Sequence, residues 1–334
     1  MSSQSTEGPD AKQFWRQGGV LAGVGAAITL GLGAAFMSIG HDQKPRDVPI
    51  AAVGPPVVAK GLEAKSKGGL SVQSVPDLAA ARQKIDERDV YGAVLAGPNG
   101  VRLLLVAPAA NNAVANFLRR TLGEATEENV PRIVDAAPLP PEDSGGQSFA
   151  LILQVLLIGG SIGVVGISKL VPRIEGDPRR GVLPATFLVA YALACGLVLA
   201  TIAAAFDVGT DATFFGAVLA MSLISLAAAA STAALVALLG PAGSAVTGVL
   251  YFIIGAQISG AGTAPEFLPD FWHHLGQALP GGAGTSLLRD VFYFPDASTG
   301  GPIAVLAAYA VAGMLGIVVI THVRRWRRAR AAPA

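Results

Sequence analysis

The feature that most constrains this chain is a series of apolar runs, each long enough to cross a lipid bilayer as a helix. About 20 apolar residues are needed for such a crossing, and charged residues make up only 14% of the 334 residues, against about 25% in soluble proteins. The runs are residues 18–40, 148–171, 182–206, 212–239, 243–259 and 303–322. The sequence therefore predicts an α-helical polytopic membrane protein with six transmembrane helices.

The first run has two interpretations. Lys12 and Arg16 precede residues 18–40, as positive charges precede the apolar core of a signal peptide. That core spans about 7–15 residues in signal peptides, and the run here is longer. We therefore expect an uncleaved transmembrane helix after a cytoplasmic tail of residues 1–17, with cleavage as the open alternative.

Residues 41–147 differ in composition from the rest of the chain. They hold 12 of the 24 Lys and Arg and 13 of the 23 Asp and Glu. Short apolar strands alternate with amphipathic helices. The strands are predicted at 48–54, 69–75, 90–96, 101–107 and 130–136, and the helices at 55–65, 76–89 and 111–128. The sequence predicts a small α/β domain inserted between the first and second transmembrane helices.

The distribution of Lys and Arg beside the apolar runs predicts the orientation. Positive charges flanking the spans collect on the cytoplasmic side, whereas long translocated domains are excluded from the count. With the N-terminus inside, ten Lys and Arg flank the spans on the cytoplasmic side and only Arg289 lies in the short outer connectors. We expect cytoplasmic termini in the cell membrane, a basic cytoplasmic tail at 323–334, and an extracytoplasmic α/β domain.

The connector 260–302 precedes the last span and contains two amphipathic pieces. Residues 266–279 and 285–294 each place apolar side chains on one helical face and polar ones on the other, and Pro280, Gly281 and Gly282 are predicted to separate them. Both pieces are too short and too polar to cross. They predict interfacial or re-entrant helices in contact with membrane lipid at the outer face.

No energy source and no catalytic constellation are evident in the sequence. The predicted spans lack carboxylates and histidines near their middle, which argues against ion coupling, and no GxxxxGK[ST] motif is present. Asp86, Glu87 and Asp89 alternate with Arg88 and predict a solvated helix face. We expect neither enzymatic activity nor a cofactor, a metal site or a nucleic-acid partner.

Residues 265–294, PEFLPDFWHHLGQALPGGAGTSLLRDVFYF, resemble the outer re-entrant segment before the last span in the phage-infection-protein (Pip-like) family. This family belongs to the type 2 ABC transporter permease superfamily. The matching positions are Pro269, Pro280, Gly281, Gly282, Arg289 and Tyr293. The order of one span, an outer domain and five spans is similar to that family over nearly the whole chain.

The resemblance implies the membrane subunit of an exporter. Such a subunit works as a homo- or heterodimer with a separate ATPase and moves an amphiphilic substrate. The ATPase would dock on the loop 172–181, which carries the candidate coupling residues Arg173, Glu175, Asp177, Arg179 and Arg180. The positive-inside rule explains these arginines equally well. The alternative is therefore a non-transporting, membrane-anchored surface protein or receptor whose outer domain binds a ligand or partner.

Overall fold

A computed structural model describes residues 11–97, 100–124, 130–174, 183–209 and 212–331. The chain divides into two compact units, Met1–Asp42 and Gln43–Ala334. Six helices of the described residues are long and apolar enough to cross a membrane. They contain the segments Lys12–Gly40, Gln147–Val164, Leu183–Ala205, Phe214–Leu239, Pro241–Ile258 and Gly300–Ile320. The predicted set of six apolar helices is thereby confirmed by length and composition.

The first unit contains a single described helix, α1 (Ala11–Gly40). It begins earlier than the predicted start at residue 18, so the expected tail is helical from Ala11 onward. The reason is local, because residues 11–17 contain neither Pro nor Gly and nothing interrupts the backbone hydrogen bonds of the helix there.

The second unit begins with the predicted α/β domain, whose sheet has the strand order β2-β1-β3-β4-β5. The strands are β1 (Val48–Val53), β2 (Leu70–Val75), β3 (Gly92–Gly97), β4 (Gly100–Val106) and β5 (Arg132–Asp135). Strand β1 runs parallel to β2 and β3, and β4 runs parallel to β5. The β3–β4 pair is antiparallel, as its predicted hairpin requires.

Three helices cover this sheet: α2 (Pro56–Ser66), α3 (Leu78–Asp86) and α4 (Asn112–Leu122). Asp77 caps α3 by accepting a hydrogen bond from the Ala80 amide, and Asn111 caps α4 in the same way. Helix α4 is shorter than the predicted 111–128, since it stops before Gly123.

The apolar helices after the domain pack around one central member. They are α5 (Gln147–Ile174), α6 (Leu183–Ala205), α7 (Phe214–Leu239), α8 (Pro241–Thr247), α9 (Gly255–Ile258) and α12 (Gly300–Ala331). Helix α7 contacts α5, α6, α8 and α12. A π-helical turn, Gly248–Ile254, joins α8 to α9, and the Tyr251 hydroxyl in this turn donates to Ser231 Oγ at 2.8 Å. Helix α12 continues through most of the predicted tail.

The connector before α12 differs from its prediction in two places. The expected helix 266–279 is a short 3-10 turn followed by α10 (Asp270–Ala278). Leu268 and Pro269 are extended between them, because a residue that precedes proline is driven out of the α region.

The second difference concerns the predicted break at residues 280–282. These residues form the first turn of α11 (Pro280–Tyr293), and the chain bends at Leu279 instead. Proline is compatible with the first helical position, where its missing N–H needs no partner. Gly282 is required by close packing, since a Cβ there would collide with the carbonyl of Gly276.

A prediction follows from the packing of α12 on α7. A Cβ at Gly313 would lie 2.6 Å from the backbone nitrogen of Ser231. Gly313→Ala should therefore push the helices apart and destabilise the fold by about 1–3 kcal/mol, measured as a lower thermal unfolding midpoint in detergent. Gly301→Ala on the same helix is the control, because no atom lies within 4 Å of its Cβ position. Equal midpoints for the two variants would contradict the packing argument.

Candidate functional site

Helix α11 is the element at which the α/β domain meets the apolar helices. It packs against α5, α7 and α12, and most of its residues are buried, including Arg289 and Asp290. The sequence predicted these two side chains on the polar face of an amphipathic helix. In the structure other parts of the protein cover this polar face of α11.

An ion pair joins the α/β domain to α11. Arg88, which follows α3, pairs with the Asp290 carboxylate, and its guanidinium also donates to the Ser286 carbonyl at 2.9 Å. Arg88 has a φ of 58°, in the left-handed region that is unfavourable for residues other than glycine. The backbone is therefore strained at the residue whose side chain extends from the domain to α11. Burial raises the pKa of Asp290 in spite of the opposing effect of Arg88.

A second set of contacts ties the domain to the turn before α10. The buried Tyr91 hydroxyl donates to the Glu266 carboxylate at 2.9 Å, and burial raises the pKa of Tyr91. The backbone amide of Arg46 donates to the Glu266 carbonyl at 2.9 Å. Ala264 and Phe294 complete the hydrophobic core of the domain itself. The connector is therefore part of the domain's fold.

Arg289 points away from Asp290 and is held differently. Its guanidinium donates to the carbonyls of Gly260 at 2.8 Å and Ala261 at 3.0 Å. It also lies over the Phe149 ring, 5.1 Å from the centroid, a favourable cation–π arrangement. Burial lowers the pKa of Arg289 to about 10, so the side chain stays charged at neutral pH. Among the described residues, no carboxylate forms an ion pair with it.

Arg289 lines a cavity of about 290 Å³. The cavity lies between the first turns of α4, the first turn of α5 and the connector. Its walls are formed by Pro108, Ala109, Asn112, Ala113, Asn116, Leu139, Gly145, Gly146, Gln147, Phe149, Ala150, Ala261, Gly262, Arg289 and Tyr293. Among the described residues that line this space only Arg289 is charged, and we call the space the Arg289 cavity.

The residues predicted from the family resemblance fall in two places. Pro269 precedes α10, and Pro280, Gly281, Gly282, Arg289 and Tyr293 all belong to α11. Five of the six matching positions therefore lie on α11 at the junction, and Pro269 lies ahead of α10.

The candidate coupling loop is different. Arg173 lies in the last turn of α5, whereas Glu175, Asp177, Arg179 and Arg180 lie outside the described residues. The structure thus leaves the role of this loop as a prediction.

Several residues of the junction were not predicted. Arg88 was assigned to a solvated helix face, yet it reaches α11, and Tyr91, Glu266 and Phe149 were not singled out. The available signal was in α11: Arg289 and Asp290 are adjacent, about 100° apart on a helix, and they lie in an apolar segment. Two such charges require partners on two different neighbours.

The titratable groups that the structure describes at the junction form an ion pair and a hydrogen bond between segments of the chain. In the described part of the chain, no three His, Cys, Asp or Glu side chains are placed to share a metal ion. The adjacent His273 and His274 rings lie 5.1 Å apart, and Nδ1 of His274 is 2.7 Å from the carbonyl of Asp270, within its own helix.

Comparison of the chain with protein-family models, with curated proteins and with solved structures gave no match.

The buried pair gives a prediction for stability. Asp290→Ala leaves the partly buried Arg88 without its carboxylate and should destabilise the fold by about 3 kcal/mol. Asp89→Ala is the matched control, because Asp89 pairs with Lys84 at the surface and such pairs contribute only about 0–1 kcal/mol. Thermal unfolding of both purified variants measures the difference. A loss as small for Asp290→Ala as for Asp89→Ala would show that the ion pair does not hold the domain in place.

Proposed function

We propose that the chain is the permease subunit of an ABC-type exporter in the cell membrane, with a separate ATPase and an amphiphilic substrate. The observation that carries this proposal is the attachment of the α/β domain to α11. Because α11 also packs on α7 and α12, a rigid-body shift of the apolar helices would move the outer domain with them. A transporter needs such a connection between its membrane path and its outer face.

The composition of the apolar helices supports an external energy source. The segments Leu183–Ala205, Phe214–Leu239 and Pro241–Ile258 contain no Asp, Glu, Lys, Arg or His. Proton- and sodium-coupled transporters place titratable side chains within the membrane. Transport by this chain would therefore depend on an ATPase partner, as the resemblance to the Pip-like family implies.

The receptor alternative predicts that the outer domain folds independently of the apolar helices. A binding module on an anchor should fold by itself, whereas the core of this domain includes Ala264 and Phe294 from the connector. Arg88 and Tyr91 would also lose their partners if the domain stood alone. These contacts favour a domain that works together with the helices, and hence favour the exporter.

The proposed orientation can be tested with single cysteines. In a Cys195→Ser background, Lys60→Cys places a thiol on an exposed residue of α2, and Arg330→Cys places one near the C-terminus. A membrane-impermeant maleimide added to intact cells should label Lys60→Cys alone. Arg330→Cys should react only after permeabilisation, and its labelling in permeabilised cells shows that this thiol is reactive. Labelling of Arg330→Cys in intact cells would reverse the topology.

The ATPase partner is tested by purification from the native membrane. The tagged wild-type protein in mild detergent should retain a P-loop ATPase in stoichiometric amount, identified by mass spectrometry. Replacing Arg173, Glu175 and Arg179 together by alanine should reduce its recovery about tenfold or more, as loss of interface charge pairs does. Arg327→Ala with Arg328→Ala is the control with similar loss of positive charge and should leave recovery unchanged.

The opposite result is also informative. If no ATPase is recovered with the wild-type protein, even after crosslinking in the membrane, the exporter proposal fails. The receptor alternative would then be favoured, and a ligand of the outer domain would be sought.

A further inference from the structure

The Arg289 cavity joins a buried cation to neutral hydrogen-bond donors. Arg289 is 7% exposed, and its guanidinium has five N–H groups, of which two are matched by the carbonyls of Gly260 and Ala261. Asn112, Asn116 and Gln147 also line the space. One N–H of Asn112 donates to the Ser144 carbonyl and one N–H of Asn116 donates to Asn112 Oδ1, which leaves the second N–H of each amide group. A positive centre surrounded by neutral donors is complementary to an anion.

Burial of the Arg289 guanidinium is unfavourable, and its partners within the protein offset this desolvation only in part. Removing a guanidinium from water is unfavourable unless an opposite charge or a full set of acceptors replaces the solvent. Two carbonyls and the Phe149 ring supply some of this. None of the described residues that line the cavity is acidic. Arg88 lowers the pKa of Arg289 further, whereas Tyr91, Glu266 and Tyr293 partly oppose this effect. An anionic ligand in the cavity would form a direct ion pair with the guanidinium.

The starts of the neighbouring helices do not explain the site. The first amides of α4 donate to the Asn111 side chain, and those of Gln147 and Ser148 in α5 donate to the Asp143 carboxylate. These amides are therefore occupied. The attraction for an anion must come from Arg289, from the second N–H of the Asn112 and Asn116 amides, and from the Gln147 amide.

The position of the cavity indicates the source of the anion. Gln147, which lines the cavity, is also the first residue of an apolar segment long enough to cross a membrane. From this end, exposed apolar side chains continue along one face of α5 at helical spacing. They are Leu151, Val155, Ile158 and Ile162. A cationic pocket above an apolar stripe matches a phospholipid, whose phosphate lies at the headgroup level and whose chains lie beside the helix.

We propose that the Arg289 cavity binds the phosphate of a membrane phospholipid, with Arg289 as the cationic partner and Asn112, Asn116 and Gln147 as donors. The acyl chains follow the exposed stripe of α5. A volume of about 290 Å³ admits a headgroup and excludes the chains. The inference rests on α5 crossing the membrane, and it is independent of whether the chain exports anything.

Binding is tested on the delipidated full-length protein in detergent by native mass spectrometry. The probes are dioctanoyl phosphatidylglycerol, dioctanoylglycerol, which lacks the phosphate, and inorganic phosphate as a competitor. The phosphatidylglycerol should bind, the diacylglycerol should not, and inorganic phosphate should compete only at far higher concentration. Arg289→Gln should weaken binding about tenfold or more, because a charge-assisted contact to phosphate is lost.

Two further variants complete the design. Arg120→Gln removes a positive charge from an exposed residue of α4 that does not line the cavity, and should change affinity less than about twofold. Asn116→Leu removes an amide at an exposed position and should weaken binding about threefold or more. It carries the test if Arg289→Gln does not fold.

Three results would overturn the proposal. Equal affinity of the wild type and both cavity variants would show that the assigned residues do not bind the lipid. Equal binding of the diacylglycerol would show that the protein does not recognise the phosphate. Competition by inorganic phosphate at the same concentration as the lipid would replace the phospholipid by a soluble phosphorylated ligand. Recovery of the ATPase partner is unaffected by any of these results, so the two proposals fail separately.

Discussion

Two adjacent and opposite charges in α11 determine how this protein is assembled. Arg289 and Asp290 are both buried, and their positions on a helix direct them to different neighbours. Asp290 meets Arg88 of the α/β domain, and Arg289 meets the carbonyls of Gly260 and Ala261. An uncompensated buried charge costs several kcal/mol. Helix α11 can therefore occupy its place only when the domain and the connector have adopted theirs, which couples the folding of segments far apart in the chain.

Close packing around α7 imposes the second constraint. Several neighbouring helices approach its backbone so nearly that only glycine fits at the contact. They do so at Gly160 of α5, Gly196 of α6 and Gly313 of α12. Apolar side chains gain little from association in lipid, so helices in membranes are held by such packing and by hydrogen bonds between them. One such hydrogen bond between helices, from Tyr251 to Ser231, starts in the π-helical turn. The regular pattern of α-helical backbone hydrogen bonds is already interrupted in this turn. That turn is where the bundle would bend with least loss of hydrogen bonding.

The sequence predicts most of the elements because their signals are periodic and local. Runs of apolar residues give the long helices, and alternation between strands and amphipathic helices gives the α/β domain. The helix boundaries in the connector were harder to predict because they depend on packing. Gly281 and Gly282 predict a break between helices, yet contacts with α10 and α5 hold them in α11. The role of Arg88 was not predictable from its own surroundings, since its partner Asp290 lies some 200 residues later in the chain. Such a pairing leaves no local pattern.

Two arginines connect the junction to the Arg289 cavity: Arg88, which reaches α11 from the α/β domain, and Arg289, which belongs to α11. Arg88 and Arg289 repel each other, and Asp290 offsets mainly the first of them. An anion bound at Arg289 would reduce this repulsion and so strengthen the attachment of the α/β domain to α11. By reciprocity, a movement that loosens Arg88 from Asp290 changes the affinity of the cavity by the same factor. The proposed headgroup would thus favour the state in which the domain stays attached to α11, which is the state that the proposed exporter needs to carry helix displacement to its outer domain.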